Sequence, residues 1–185
     1  MMLRQLPNLI CIARIALIWP IVTALGGGDY GAAVVLFALA GISDGLDGYL
    51  AKRFNWTSEL GKLLDPLADK LLLVIVFVSA TWLGLVPRWL TATVVARDVL
   101  IALGALVFRL GFGPLEGRPT LLSKLNTLMQ LLYLLCVMTH AALAQPGIAA
   151  LRVLAAATLV TTVLSGCDYV VMFTRRALSI PARSS

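Results

Sequence analysis

Four aspartates crowd into one short stretch of this sequence: Asp44, Asp47, Asp65 and Asp69, out of nine acidic residues in all. Asp44 and Asp47 are three positions apart and Asp65 and Asp69 four apart, so on helices each pair shares a face, one turn between its members. Asn55 to Ser58 reads as a short turn that folds the two helices back on each other and lets the pairs converge. Four carboxylates packed in low dielectric repel, and some must take up protons unless cations neutralise them. Oxygen donors with no His or Cys nearby select hard ions, Mg²⁺ or Mn²⁺. Two such ions bridged by carboxylates form the usual clamp for displacement at a phosphoryl centre. A plainer reading also exists: an ion-pair network between helices, or a proton relay in a transporter, because acids within apolar spans mark such pathways.

Small residues flank the acids. Gly48 lies four after Asp44, Ala51 seven after it, and Gly61 four before Asp65. Missing bulk beside the carboxylates opens a slot for a flat or phosphorylated ligand. Pro66 has no N–H, so the carbonyl of Lys62 loses its helical partner and the helix loosens beside the site.

The elements that must carry these residues follow from solvent. Of the 185 residues, 60% are hydrophobic and 13% charged, and the mean hydropathy is +0.94. A soluble domain carries about twice that charged fraction. Six stretches are long enough to cross a bilayer as helices, at about 20 residues each: 8–26, 31–53, 59–83, 87–110, 119–143 and 147–174. Glycine, proline and polar clusters separate them, and Pro20 inside the first predicts a kink. The expectation is an all-α polytopic membrane protein, one domain over residues 1–185, with no signal or transit peptide.

Charge sets the orientation. With six alternating spans, Arg4, Lys52, Arg53, Lys62, Arg109, Arg118, Lys124, Arg175, Arg176 and Arg183 fall on one side, and Arg88 and Arg152 on the other. That bias predicts both termini in the cytoplasm, on the side of the aspartates. The net charge of +6 is dispersed between apolar spans rather than arrayed as a water-facing stripe. It therefore fits anionic lipid headgroups and not nucleic acid. Cys11, Cys136 and Cys167 are isolated, without a CxxC pair, and read as core filler. His140 and Trp19, Trp82 and Trp89 read as interfacial residues near span ends.

The segment from Asp44 to Asp69 resembles the signature of the CDP-alcohol phosphatidyltransferases, D-x2-D-G-x2-A-R-x8-G-x3-D-x3-D. Asp44, Asp47, Gly48, Ala51, Gly61, Asp65 and Asp69 stand at every required spacing, and Lys52 replaces the arginine, keeping charge but losing bidentate phosphate geometry. Pro7-Asn8 looks like the family's opening motif. The resemblance implies two metal ions held by Asp44, Asp47, Asp65 and Asp69 on the pyrophosphate of CDP-diacylglycerol. It implies a nucleotide site of Asn8, Gly48, Ala51, Lys52 and Gly61, and a catalytic base in Asp69, a role compatible with plain metal ligation. It further implies a homodimer in the inner membrane of a bacterium.

The acceptor alcohol rests on other helices. Candidates to hold it are Arg97, beside Asp98, then Arg118, Lys124, Asn126 and Thr127. Arg97 and Asp98 also read as a buried neighbour pair, and Lys124 as a lysine that snorkels to the surface. Ser123-Lys124-Leu125-Asn126-Thr127 resembles the SKxNT segment of the CMP-forming cardiolipin synthase branch. Phosphatidylglycerophosphate synthases tend to carry GKxKT there. A neutral Asn126 suits a singly charged phosphodiester, and a second lysine suits the near-dianionic glycerol 3-phosphate. The reading favours an anionic phospholipid acceptor, phosphatidylglycerol, with glycerol 3-phosphate as the alternative. Outside the family, an aromatic prenyltransferase needs more spans and different aspartate spacing, and a transporter would release no CMP.

Overall fold

The computed structural model describes residues 6–54, 59–112 and 120–179, with side chains defined for 11–43, 67–108, 110 and 120–175. These residues form six helices: α1 (Leu6–Gly26), α2 (Tyr30–Phe54), α3 (Glu59–Trp82), α4 (Arg88–Phe112), α5 (Leu121–Leu143) and α6 (Ile148–Ser179). The fold is all-α among the described residues, and each helix coincides with one predicted span. Among the described residues, three segments are long and apolar enough to cross a membrane: Arg88–Phe108, Leu121–Leu143 and Ile148–Arg175. Cys11–Gly26 and Tyr30–Ser43 are shorter apolar stretches. α1 runs on through Pro20 to Gly26.

Two turns are built alike. After α1, Gly28 adopts φ +78°, its N–H donates to the Leu25 carbonyl, and the N–H of Asp29 donates to that of Ala24. After α3, Gly84 adopts φ +75°, with Gly84 N–H donating to Thr81 and Leu85 N–H to Ala80. This pairing of orphaned helix-end carbonyls around a left-handed glycine is a Schellman cap. Asp29 then accepts a bond from Ala32 N–H at 3.0 Å and starts α2. Thr81 and Thr91 hydroxyls, 2.5 Å apart, tie α3 to α4 beside the second turn.

The helices close into a ring whose order differs from chain order: α1, α2, α5, α6, α4, α3 and back to α1, with α3 also reaching α5 across it. The turn around Asn55 to Ser58 lies outside the described residues. Along their described lengths α2 and α3 have no extended packing on each other; α1 packs against both.

Helical periodicity explains the core. Ile18, Ile21 and Leu25 on α1, Phe37 and Ala40 on α2, and Leu73, Val76, Phe77 and Ala80 on α3 all point inward. The seam then changes character along its length. On α4, Leu90 and Val94 are followed by Arg97; on α5, Asn126 and Gln130 precede Leu134, Val137 and Met138; on α6, Ala155 is followed by Thr158, Thr162 and Ser165, all buried. Because α6 runs back along α5, these polar stretches coincide. One half of the bundle is apolar inside and the other is polar. α4 and α6 approach closely beyond that polar half: a Cβ on Gly104 would lie 2.6 Å from the ring of Phe173.

Candidate active site

Among the described residues, three cations sit in the middle of helices rather than at their ends: Arg14 on α1, Lys70 on α3 and Arg97 on α4. An intramembrane cation needs a counter-charge, and each has an aspartate. Arg14, 1% exposed, donates to the carboxylate of Asp69, which is 35% exposed. Lys70 Nζ donates to Asp98 Oδ1 at 2.6 Å, and Arg97 Nη1 donates to the same oxygen at 2.7 Å. Arg97 Nη2 donates to Ser123 Oγ on α5 at 2.9 Å and to Ser165 Oγ on α6. Its guanidinium lies 5.6 Å from the ring centre of Tyr169, within cation–π range. Arg97 thus links three helices.

These groups surround a cavity of 410 Å³, lined by Asp69, Lys70, Leu73, Arg97, Ile101, Ser123, Lys124, Thr127 and Tyr169. A pocket of 30 Å³, on the scale of a single water, lies on the other side of Asp69. Its lining joins Arg14, Ala40 and Gly41 to Leu72, Thr127 and Leu131, and α2 and α3 share it. Among the described residues, the cavity lining carries the cations Lys70, Arg97 and Lys124 against the carboxylate of Asp69, with Arg14 on that carboxylate's other side. The cavity therefore favours an anionic guest, with a half-exposed carboxylate in its wall.

Of the predicted site residues, Asp69, Arg97, Lys124 and Thr127 come together here. Lys124 is exposed at the cavity. Arg97 and Asp98 are indeed a buried neighbour pair, and the same arginine lines the cavity. Asn126 stands apart. It is fully buried, and its Oδ1 accepts from Thr162 at 2.8 Å and from Thr161 at 3.1 Å. On a helix Ser123, Lys124 and Thr127 share a face, while Asn126 and Gln130 are turned towards α6. Asn126 therefore fastens α5 to α6, and its lysine substitution would bury a charge among threonines. The side chains of Asn8, Asp44, Asp47, Gly48, Ala51, Lys52, Gly61 and Asp65, and all of Arg118, lie outside the described residues.

Arg14, Lys70, Ser123, Ser165 and Tyr169 were not among the sequence candidates. The signal for Arg14 and Lys70 was present: both are cations stranded mid-helix, which demands a partner. The serines and Tyr169 carried none. The cysteines differ from expectation as well: Cys11 is buried, but Cys167 is exposed on α6. His140 Nδ1 lies 2.7 Å from the Pro146 carbonyl in the α5–α6 turn. Trp19, Trp82 and Trp89 are all exposed.

Among the described residues, Asp69 is the member of the acidic quartet whose side chain can be tested for metal binding. It fits as a ligand: a hard oxygen donor, half-exposed, on a cavity wall.

The sequence matches the CDP-alcohol phosphatidyltransferase family over residues 4–165. The chain belongs to that family. It is 40% identical over 116 residues to the cardiolipin synthase (CMP-forming) of Streptomyces coelicolor, covering 59% of this chain and 54% of the relative. It is 35% identical over 157 residues to the Rattus norvegicus cardiolipin synthase (CMP-forming), covering 76% and 50%. It is 33% identical over 174 residues to a probable phosphatidylglycerophosphate synthase of Mycobacterium tuberculosis, covering 90% and 80%. The chain spans about half the length of the cardiolipin synthases it matches. Family membership and the apolar helices together make this a multi-pass membrane protein.

Proposed function

We propose that this phosphatidyltransferase moves a phosphatidyl group from CDP-diacylglycerol to phosphatidylglycerol, giving cardiolipin and CMP. The observation that carries the reading is the cavity itself, where Asp69 faces a cationic wall of Lys70, Arg97 and Lys124. Lys124 and Arg97 hold the phosphodiester of the acceptor, and Ser123 and Asp98 hold Arg97 in place. Asp69 takes the proton of the acceptor hydroxyl, and Arg14 orients that carboxylate from behind. The hydroxyl oxygen forms a bond to the phosphatidyl phosphorus as the bond to the CMP oxygen breaks, and CMP leaves with the electron pair. Asp44, Asp47, Asp65 and Asp69 would hold two Mg²⁺ or Mn²⁺ ions, which supply Lewis-acid polarisation of the pyrophosphate. Asn8, Gly48, Ala51, Lys52 and Gly61 would receive the nucleotide.

A second acceptor, glycerol 3-phosphate, has its own support. The Mycobacterium tuberculosis relative is matched over most of both chains, unlike the cardiolipin synthases. The purified enzyme, given CDP-diacylglycerol and each acceptor separately, is expected to release CMP with phosphatidylglycerol at least about tenfold faster, a difference of about 1.4 kcal/mol. A preference for glycerol 3-phosphate in that assay would make it a phosphatidylglycerophosphate synthase.

The same reading has six membrane spans, both termini in the cytoplasm of a bacterium, and a homodimer in its inner membrane. Reporters fused after Ser185 are expected to read cytoplasmic and reporters near Gln145 external, following the charge bias. A cytoplasmic signal at Gln145 would overturn the six-span topology.

A further inference from the structure

Outside the polar cavity, α4 and α6 flank an open groove of 710 Å³. Its walls are mostly apolar or small, with Ala92, Ala96 and Leu100 on α4 and Val163, Gly166 and Cys167 on α6, and Thr93 and Thr162 among them. From Ala92 to Leu100 it runs about 12 Å at the rise of an α-helix. Arg97 alone lines both this groove and the cavity. Its stem lies over Gly166, where an added Cβ would sit 3.6 Å from the Arg97 Cγ. Its head reaches Ser123, Ser165 and Asp98.

One donor on that side chain is unused. Arg97 is 4% exposed, and its Nε has no hydrogen-bond partner. A buried unpaired N–H is costly, and this one lies on the side chain that joins an anion-favouring chamber to an apolar trough. A ligand that satisfies all three has an anionic head, a carbonyl just beneath it, and a hydrocarbon tail.

We infer that the α4–α6 groove holds an acyl chain of the acceptor lipid, with its ester carbonyl accepting from Arg97 Nε after a small rotation of the stem off Gly166. This rests on a phospholipid as acceptor. The groove belongs to the acceptor and not the donor because of the ring order. The nucleotide motif lies on α2 and α3; α2 has no extended contact with α4 or α6, and α3 meets α4 but has no extended contact with α6, whereas the groove shares Arg97 with the cavity that takes the acceptor. Glycerol 3-phosphate, lacking a tail, would leave the groove unused.

The test fills the trough. Wild-type enzyme, Ala96→Phe and the control Val99→Phe are assayed in one detergent with CDP-diacylglycerol. The acceptors are dioleoyl-phosphatidylglycerol, dihexanoyl-phosphatidylglycerol and glycerol 3-phosphate. Val99 is exposed on α4 but does not line the groove. Ala96→Phe is expected to lower the kcat/KM ratio of long-chain to short-chain acceptor about tenfold, the scale of a couple of methylenes removed from an apolar site, with the ratio unchanged in Val99→Phe. If Ala96→Phe does not accumulate, Val163→Trp fills the groove from the α6 wall and is read the same way. An unchanged chain-length ratio overturns the inference while leaving phosphatidylglycerol as acceptor. So does a KM increase confined to CDP-diacylglycerol, which would give the groove to the donor, or a loss of dimer on sizing, which would give it to a second copy. Wild-type preference for glycerol 3-phosphate would instead overturn the acceptor reading on which the inference rests.

Discussion

Asp44→Asn, Asp47→Asn and Asp65→Asn are each expected to lower CMP release on the order of 10³-fold or more, while the protein still inserts and purifies. The size follows from the two-ion clamp proposed for the carboxylates. Two divalent ions on a pyrophosphate supply several kcal/mol of charge stabilisation in a site shielded from water, and losing one anionic ligand from a shared clamp weakens both ions. Amide substitution keeps shape and removes charge, so the folded bundle is preserved. Asp69→Asn should match the others in activity and differ in yield, because it also removes the charge facing the buried Arg14. The measurement is CMP release from CDP-diacylglycerol with added Mg²⁺ or Mn²⁺, and again after EDTA. Near-wild-type rates in any of the three variants, or with EDTA, would rule out a two-ion mechanism.

Arg97→Ala should be the most damaging single change to the bundle itself. Arg97 and Asp98 are 4% and 10% exposed, and removing one partner of a buried pair costs about 3 kcal/mol. Lys70 still faces Asp98 at 2.6 Å, which holds the loss at the lower end of that range. Two further ties go with the guanidinium, to Ser123 on α5 and Ser165 on α6, along with the cation–π contact to Tyr169. Arg97→Lys keeps a charge for Asp98, but a single ammonium cannot span both serines and the ring. It should retain most of the stability and lose acceptor affinity, seen as a raised KM for phosphatidylglycerol with little change in that for CDP-diacylglycerol. Thermal unfolding in detergent ranks stability as wild type, then Lys, then Ala. Arg97→Ala melting with wild type would show that the network adds nothing.

Six helices were legible in the sequence because continuous apolar runs of about 20 residues hide their backbone in lipid as helices, and because breakers end each run. Of the acidic quartet, whose spacings of three and four predict shared helix faces, Asp69 is the member seen at the cavity. The ring order was not legible. α2 lies beside α5, and α4 beside α6, and periodicity says which face is buried but not against which helix. Hence Ser123, Ser165 and Tyr169 could not be foreseen around Arg97. Asn126 shows the opposite fault. Read as one link in a linear string from Ser123 to Thr127, it belonged with the acceptor; wound into α5, it turns towards Thr161 and Thr162.

The Phe173 ring against Gly104 lies just past the end of the α4–α6 groove nearest the C-terminus of α4. There the two helices come close together, while the flank of the groove stays open. An acyl chain using the trough can therefore enter through the open flank, from the sheet of lipid around the protein. Such a guest searches an area and not a volume, and its working concentration is its mole fraction among neighbouring lipids. Diluting it with inert lipid slows the encounter; adding buffer does not. With an acyl chain as its guest, this face of the protein responds to membrane composition rather than to bulk amount.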